Sequence, residues 1–209
     1  MFITFEGLDG SGKTTQASAL VTWLTEMGHD ALLTREPGGT GIGQLLRKLL
    51  LEKKAPEMHP TTEMLLMAAD RAQHVQQVIR PALVNNQIVV CDRFVDSSVA
   101  YQGYGLRYNP SHVRVVNEIA TGGLSPDITF LLDVDIASLL QRLEKRHNQD
   151  RIEGRGVSFL ERVRDGYLRI AAAEPMRVYR IEAGTRTIED IQLEIRNVVA
   201  RELAERLGL

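Results

Sequence analysis

The chain has 209 residues, 44% hydrophobic and 25% charged, which suits one globular domain over residues 1–209 and leaves little room for a second. A net charge of −2 argues against a nucleic-acid surface, because duplex binding needs a strong basic excess. Apolar runs fall far short of the roughly 20 residues that cross a bilayer and the N-terminus opens on a strand rather than a targeting segment, so no membrane span is expected and the cytoplasm is the expected compartment.

Residues 2–6 read as a buried first strand. It runs directly into Gly7-Leu8-Asp9-Gly10-Ser11-Gly12-Lys13-Thr14, which satisfies G-x-x-x-x-G-K-[ST]. Gly7, Gly10 and Gly12 let the backbone turn its N–H groups onto a polyphosphate, Lys13 adds charge, and Thr14 offers a hydroxyl to Mg²⁺ at the start of a helix. Ala17, Leu20, Val21, Leu24 and Met27 carry that helix until Gly28 ends it. A short strand at residues 31–34 leads into the loop Arg35-Glu36-Pro37-Gly38-Gly39-Thr40-Gly41 and then into a helix bearing Ile42, Leu45, Leu46, Leu49 and Leu50. From Thr61 to about Val84 a long helical pattern places Leu65, Ala68, Ala72, Val75, Val78, Ile79, Ala82 and Leu83 on one face. Arg71 sits inside it.

The buried strand Ile88-Val89-Val90-Cys91 ends in Asp92-Arg93, two charges at the strand end where α/β sheets bind ligands. Cys91, the lone cysteine, reads as core packing. Tyr101-Gln102-Gly103-Tyr104-Gly105 reads as a loop by composition, followed by a helix from about Pro110 to Ala120. Another strand spans residues 128–134, with Asp133 near its end, and Leu139, Leu140 and Leu143 mark the next helix. Residues 146–156 are polar, basic and glycine-containing, which suits a lid. A helix with Phe159, Val163, Tyr167 and Ile170, a strand near residues 177–181 and a final helix with Ile188, Ile191, Ile195, Val198, Val199 and Leu203 complete the chain. Strands alternating with helices imply an α/β fold, a doubly wound parallel sheet of about five strands with helices on both faces.

The cradle alone does not separate a kinase from a switch or a motor. The chain lacks Asn-Lys-x-Asp, which reads guanine in switch GTPases, and lacks an ABC-type signature. Arg35, Arg47, Arg71, Arg93 and the lid arginines form a second set of anion-binding candidates. Two sets suggest two phosphorylated ligands, the arrangement that phosphoryl transfer between nucleotides requires.

Thr34-Arg-Glu-Pro-Gly-Gly-Thr40, Asp92-Arg-Phe-Val-Asp-Ser-Ser-Val-Ala-Tyr-Gln-Gly103 and Asp150-Arg-Ile-Glu153 resemble, in order, three marker segments of thymidylate kinases, with the cradle as a fourth. The resemblance spans essentially the whole chain. It implies a P-loop fold, transfer from ATP to dTMP giving dTDP in dTTP synthesis, Mg²⁺, and a homodimer. On that resemblance Gly7, Leu8, Asp9, Gly10, Ser11, Gly12, Lys13 and Thr14 hold ATP, and Thr14 with Asp92 holds Mg²⁺, partly through water. Arg93 and Arg47 grip the dTMP phosphate, Asp9 stands near its sugar and phosphate, and Arg71 reads the thymine edge. Glu36, Pro37, Ser97, Ser98, Tyr101 and Gln102 wall the nucleoside pocket, with Tyr101 placed to disfavour a 2′-hydroxyl. The cradle has no arginine between its end glycines, so Arg151, with Arg146 and Arg155, is expected to serve transition-state charge alongside Lys13, and Asp9 and Arg93 are counted with them as catalytic residues. Met67 stands where the family commonly stacks a phenylalanine on thymine. Another nucleoside monophosphate kinase, or a nucleotide-binding switch without turnover, is the alternative reading.

Overall fold

Side chains alternate across the central strands. Phe2, Val89 and Cys91 pack into one apolar cluster, while Ile3, Phe5, Ile88 and Val90 pack into another on the opposite side, as a period of two demands of a sheet buried on both faces. The computed structural model describes residues 1–52, 57–144 and 151–207. Strands β1 (Phe2–Glu6), β2 (Ala31–Arg35), β3 (Ile88–Asp92), β4 (Ile128–Asp133) and β5 (Val178–Glu182) pair in parallel in the order β2-β3-β1-β4-β5. The expected doubly wound sheet of five strands is therefore present.

Helix α1 (Lys13–Glu26) and the last helix, α9 (Ile188–Leu207), cover the Ile3/Phe5 side through Leu20, Leu24, Ile195 and Val199. Each fully buried side chain of that size contributes on the order of 1.5–3 kcal/mol. Thr4 and Thr129, paired across β1 and β4 on the opposite face, the one that carries Phe2, satisfy each other at 2.7 Å. The Phe2 side is covered by Val75, Ile79 and Ala82. These belong to one helical run made of α3 (Pro60–His74), a π-helical turn (Val75–Ile79) and α4 (Arg80–Val84). Pro81 has no N–H to donate backward, and the helix widens just before it, with the Arg80 N–H reaching the Val75 carbonyl.

Helix α2 (Gly41–Leu51) buries Leu50 but leaves Ile42, Leu45 and Leu49 exposed. Two sequence expectations change here. Leu65 is exposed, and much of what α3 buries is polar: Glu63, Asp70, Arg71 and His74. Residues 101–105 are not a loop. They lie within a second π-helical stretch, Val99–Gly105, that continues α5 (Val95–Ser98). Glycine content suggested a loop, but the segment packs so closely on α8 (Val157–Ala173) that a Cβ on Gly105 would stand 2.7 Å from Phe159 and Val163. Helices α6 (Pro110–Thr121) and α7 (Ile136–Glu144) fall where the spacing predicts.

Candidate active site

Strand register sets the site. Phe5 pairs with Asp92 and Asp92 with Arg35, so the carboxyl ends of β1, β2 and β3 deliver the cradle, Arg35 and Asp92-Arg93 to one edge, where open α/β sheets bind ligands. Gly12 (φ 98°) turns the chain into α1, and Gly7 (φ 137°) leaves no room for a side chain, because a Cβ would lie 2.5 Å from the Leu132 carbonyl. The Leu8 carbonyl accepts from Lys13 Nζ at 2.8 Å, and Asp9 Oδ1 lies 4.0 Å from the same nitrogen. Ser11 Oγ is buried with no hydrogen-bond partner among the described residues. Burial, helped by Arg93, pushes the Lys13 ammonium down to about 8.

Two pockets meet at this edge. The polar one is bounded by Gly10, Gly12, Lys13, Thr14, Arg35 and Asp92. The second is bounded by Pro37, Met67, Arg71, Ser97, Ser98, Tyr101 and Gln102. Asp9, Glu36, Arg47 and Arg93 border both. Every residue the sequence assigned to dTMP thus lines a single pocket, and Leu51, Asp70 and Ile152, which it did not assign, complete the wall.

Arg93 stands at the junction with φ 76°, a conformation rare for a non-glycine residue. Its Nη2 donates to Asp9 Oδ1 at 2.5 Å, and its Nη1 to the Gly7 carbonyl and to Ser97 Oγ, both at 3.0 Å. Tyr101 Oη donates to Asp9 Oδ2 at 3.0 Å. Burial works to raise the Asp9 carboxyl, but Arg93 and Lys13 outweigh it and hold the group well below the usual carboxylate range. Asp9 is thus an anion fixed between two cations.

Arg71 is held rigidly. Its Nε donates to Glu36 Oε2 at 2.8 Å, its Nη1 to Ser98 Oγ at 2.9 Å and Asn117 Oδ1 at 2.6 Å, and its Nη2 to the Phe94 carbonyl at 2.9 Å. Glu36 also contacts His74 Nδ1 at 2.9 Å, and His74 Nε2 lies 2.7 Å from Thr34 Oγ1. Arg47 Nη1 donates to the Pro37 carbonyl at 2.8 Å. Thr14 Oγ1 donates to Asp92 Oδ2 at 2.5 Å, while Asp92 Oδ1 is buried with no partner among the described residues. A hydroxyl beside a carboxylate with an unused oxygen is a hard-donor set of the kind Mg²⁺ takes, directly or through its waters.

Arg151 and Arg155 stand elsewhere. Arg151 Nη2 donates to Glu63 Oε2 at 2.6 Å and its Nε to the Leu50 carbonyl at 2.9 Å, and both terminal nitrogens of Arg155 bond Glu63. Gln102 Nε2 donates to the same carboxylate at 3.0 Å. Neither arginine borders the cradle pocket. Arg146 and the lid residues up to Asp150 lie outside the described residues. Sequence reasoning missed Glu63, which no motif marks, and Arg142, which links the cradle to the chain after β5 through Gly10, Ala183 and Gly184 carbonyls. Burial pushes the Cys91 thiol up, as fits a packing residue.

A family model described as thymidylate kinase matches residues 5–195. A thymidylate kinase from an Exiguobacterium species is 49% identical, covering 98% of this chain and 96% of its own length. One from Geotalea uraniireducens is 45% identical, with 98% of both chains covered. Among solved structures, thymidylate kinase from Ehrlichia chaffeensis superposes with a TM-score of 0.80 at 38% identity, over 96% of this chain and 98% of that one.

Proposed function

This chain belongs to the thymidylate kinase family, and from that premise we propose how its residues divide the transfer of the γ-phosphoryl group of ATP to dTMP. The products are dTDP and ADP, and the step serves dTTP synthesis. The observation that carries the assignment is the meeting of two pockets at Asp9 and Arg93, one walled by the cradle and the other by the residues matching the family's nucleoside-binding segments. An oxygen of the dTMP phosphate attacks the γ-phosphorus in line while the bond to the β-phosphate oxygen breaks. Such a step needs positioning and charge rather than a covalent nucleophile.

Residues 7–14 hold the ATP phosphates, and Lys13 follows the transferring group. Arg93 and Arg47 hold the dTMP phosphate, Asp9 orients Arg93, and Arg71 reads the thymine edge from a position fixed by four hydrogen bonds. Glu36 and Pro37 with Ser97, Ser98, Tyr101 and Gln102 form the nucleoside wall, and Met67 lies against the base. Thr14 and Asp92 would hold Mg²⁺, which would supply positive charge against the phosphates. Arg151, Arg155 and Arg146 are assigned to the charge of the transferring group. For Arg151 and Arg155 that role requires exchanging Glu63 for phosphate oxygens. The chain acts as one kinase domain over residues 1–209 with a lid at about 146–156, and the cytoplasm, where ATP is plentiful, is its compartment. A homodimer is part of the reading, supported by exposed apolar residues on three adjoining helices: Leu45 of α2 (72% exposed), Leu65 of α3 (52%) and Ile119 of α6 (77%).

Steady-state kinetics separate the two kinds of arginine. Arg93→Ala should raise KM for dTMP and lower kcat, because a phosphate clamp acts in ground and transition states alike. Arg151→Ala should lower kcat at least about a hundredfold with dTMP KM nearly unchanged. Unchanged dTMP KM in the first variant, or unchanged kcat in the second, would remove the corresponding role.

A further inference from the structure

Glu6 ends β1 immediately before the cradle, and its side chain is buried. The transfer step as derived gives it no task. Its Oε1 accepts the backbone N–H of Phe94 at 2.8 Å and of Ser97 at 3.3 Å, and its Oε2 accepts Ser97 Oγ at 2.5 Å and Tyr167 Oη at 2.9 Å. The same two hydroxyl oxygens lie 3.0 and 3.2 Å from Arg93 Nη1.

A guanidinium can only donate, so a hydroxyl that accepts from it must send its own proton elsewhere. Glu6 Oε2 takes the protons of both hydroxyls. With the carboxylate in place, Ser97 and Tyr167 present lone pairs to Arg93. Ser97 Oγ and Tyr167 Oη also lie 2.9 Å apart, so with a donor in place of Oε2 one hydroxyl can give its proton to the other, and the remaining proton is left facing the cation. Glu6 also holds the Phe94 N–H directly after the residue whose φ is 76°, a backbone state that persists only where its surroundings fix it.

We propose that Glu6 is a positioning residue for Arg93, polarising Ser97 and Tyr167 so that they hold one arm of the guanidinium while Asp9 holds the other. The inference rests on reading Arg93 as the clamp of the dTMP phosphate. It also gives a task to Tyr167, whose ring reads from sequence as core packing on α8. Burial and the nearby Asp96 carboxylate push the Glu6 carboxyl up to about 7 against the pull of Arg93, so the kinetics that test the role are read at pH 8, where Glu6 is ionised; Asp96 is itself bonded by Arg177 at 2.8 and 3.0 Å.

The test is a set of variants read by KM for dTMP against KM for ATP. Glu6→Gln keeps the shape and replaces one oxygen by a donor. It should raise dTMP KM roughly tenfold, the loss expected of hydrogen bonds to a charged group, with ATP KM little changed and thermal unfolding close to wild type. Tyr167→Phe removes one of the two hydroxyls and should raise dTMP KM by a smaller factor, and the two changes together should give less than the product of their separate effects. In an Arg93→Ala background, Glu6→Gln should add nothing. If Arg93→Ala leaves dTMP KM unchanged, the clamp reading fails. If Arg93→Ala raises it and neither Glu6→Gln nor Tyr167→Phe does, the clamp stands and the role of Glu6 falls. An equal rise from Glu6→Gln with and without Arg93 also overturns the role. Should Glu6→Gln not fold, Tyr167→Phe and Ser97→Ala with and without Arg93 decide it, and no rise in dTMP KM from either contradicts the proposal.

Discussion

Met67 borders the same pocket as Arg71, and on the proposed reading it lies against thymine where an aromatic ring would stack. A thioether against a ring contributes about 0.3–1.5 kcal/mol, and base stacking on an aromatic side chain about 1–3 kcal/mol. Met67→Phe should therefore tighten dTMP binding by about 1 kcal/mol, measured by calorimetric titration. Equal or weaker binding would mean that the pocket is shaped around sulfur and that a larger ring overpacks it. Asp70 shows the opposite economy. Its Oδ1 accepts the Gly38 N–H at 3.0 Å, but Oδ2 is buried with no partner among the described residues, and burial, with the nearby Glu36 carboxylate, pushes the group up to about 6. The folded chain therefore keeps a proton that the unfolded chain releases near pH 4, so stability falls as pH rises from about 4 to 6 and the cost persists above that. Relative to wild type, Asp70→Asn should be more favourable at pH 7.5 than at pH 4 by on the order of 2 kcal/mol. Denaturant unfolding at the two values measures this, and an equal difference at both would show that Asp70 does not titrate in that window.

At the scale of elements, two π-helical stretches flank the nucleoside pocket. One follows the α3 turn that carries Arg71 and His74, and the other carries Tyr101 and Gln102. The second is held against α8 by a pair of glycines. A Cβ on Gly166 would lie 2.7–2.8 Å from three atoms of Tyr104, two of them at the root of the side chain, so the ring cannot simply swing aside. Gly166→Ala gains about 1 kcal/mol of helix propensity but meets overpacking of about 1–3 kcal/mol. The net should be a loss of about 1 kcal/mol, lowering Tm by roughly 2–4 °C. A calorimetric scan showing equal or higher Tm would contradict this packing. The same contacts explain what was legible in the sequence. Hydrophobic period and cap residues mark α1, α6 and the strands, because those elements form for reasons local to themselves. The helical state of residues 99–105 follows from packing on a helix some 60 residues later, so glycine content misled. Glu6, Glu63, Asp70 and Tyr167 were missed for a related reason. Each gains its role from partners distant in the chain, such as Tyr167 with Glu6, 161 residues apart, and no short motif records that proximity.

At the scale of the molecule, a chain with net charge −2 still brings Lys13, Arg35, Arg47 and Arg93 to the rim of one polar pocket. The sheet order β2-β3-β1-β4-β5 puts β1 at the centre with β3 beside it, so the cradle and Asp92-Arg93 become neighbours although some 80 residues separate them. The marker segments made that meeting readable before any coordinates, because each segment matches as a unit. Strand order and the contacts of Arg151 and Arg155 with Glu63 depend on tertiary contacts and were not readable. Purified enzyme with Mg²⁺ and ATP, offered dTMP, AMP, CMP and GMP separately and followed by chromatography of the nucleotides, tests the central claim. The account predicts ADP and dTDP in equal amounts with dTMP and no comparable turnover with the others. Preferred turnover of AMP, CMP or GMP, or ADP release without dTDP, would contradict it.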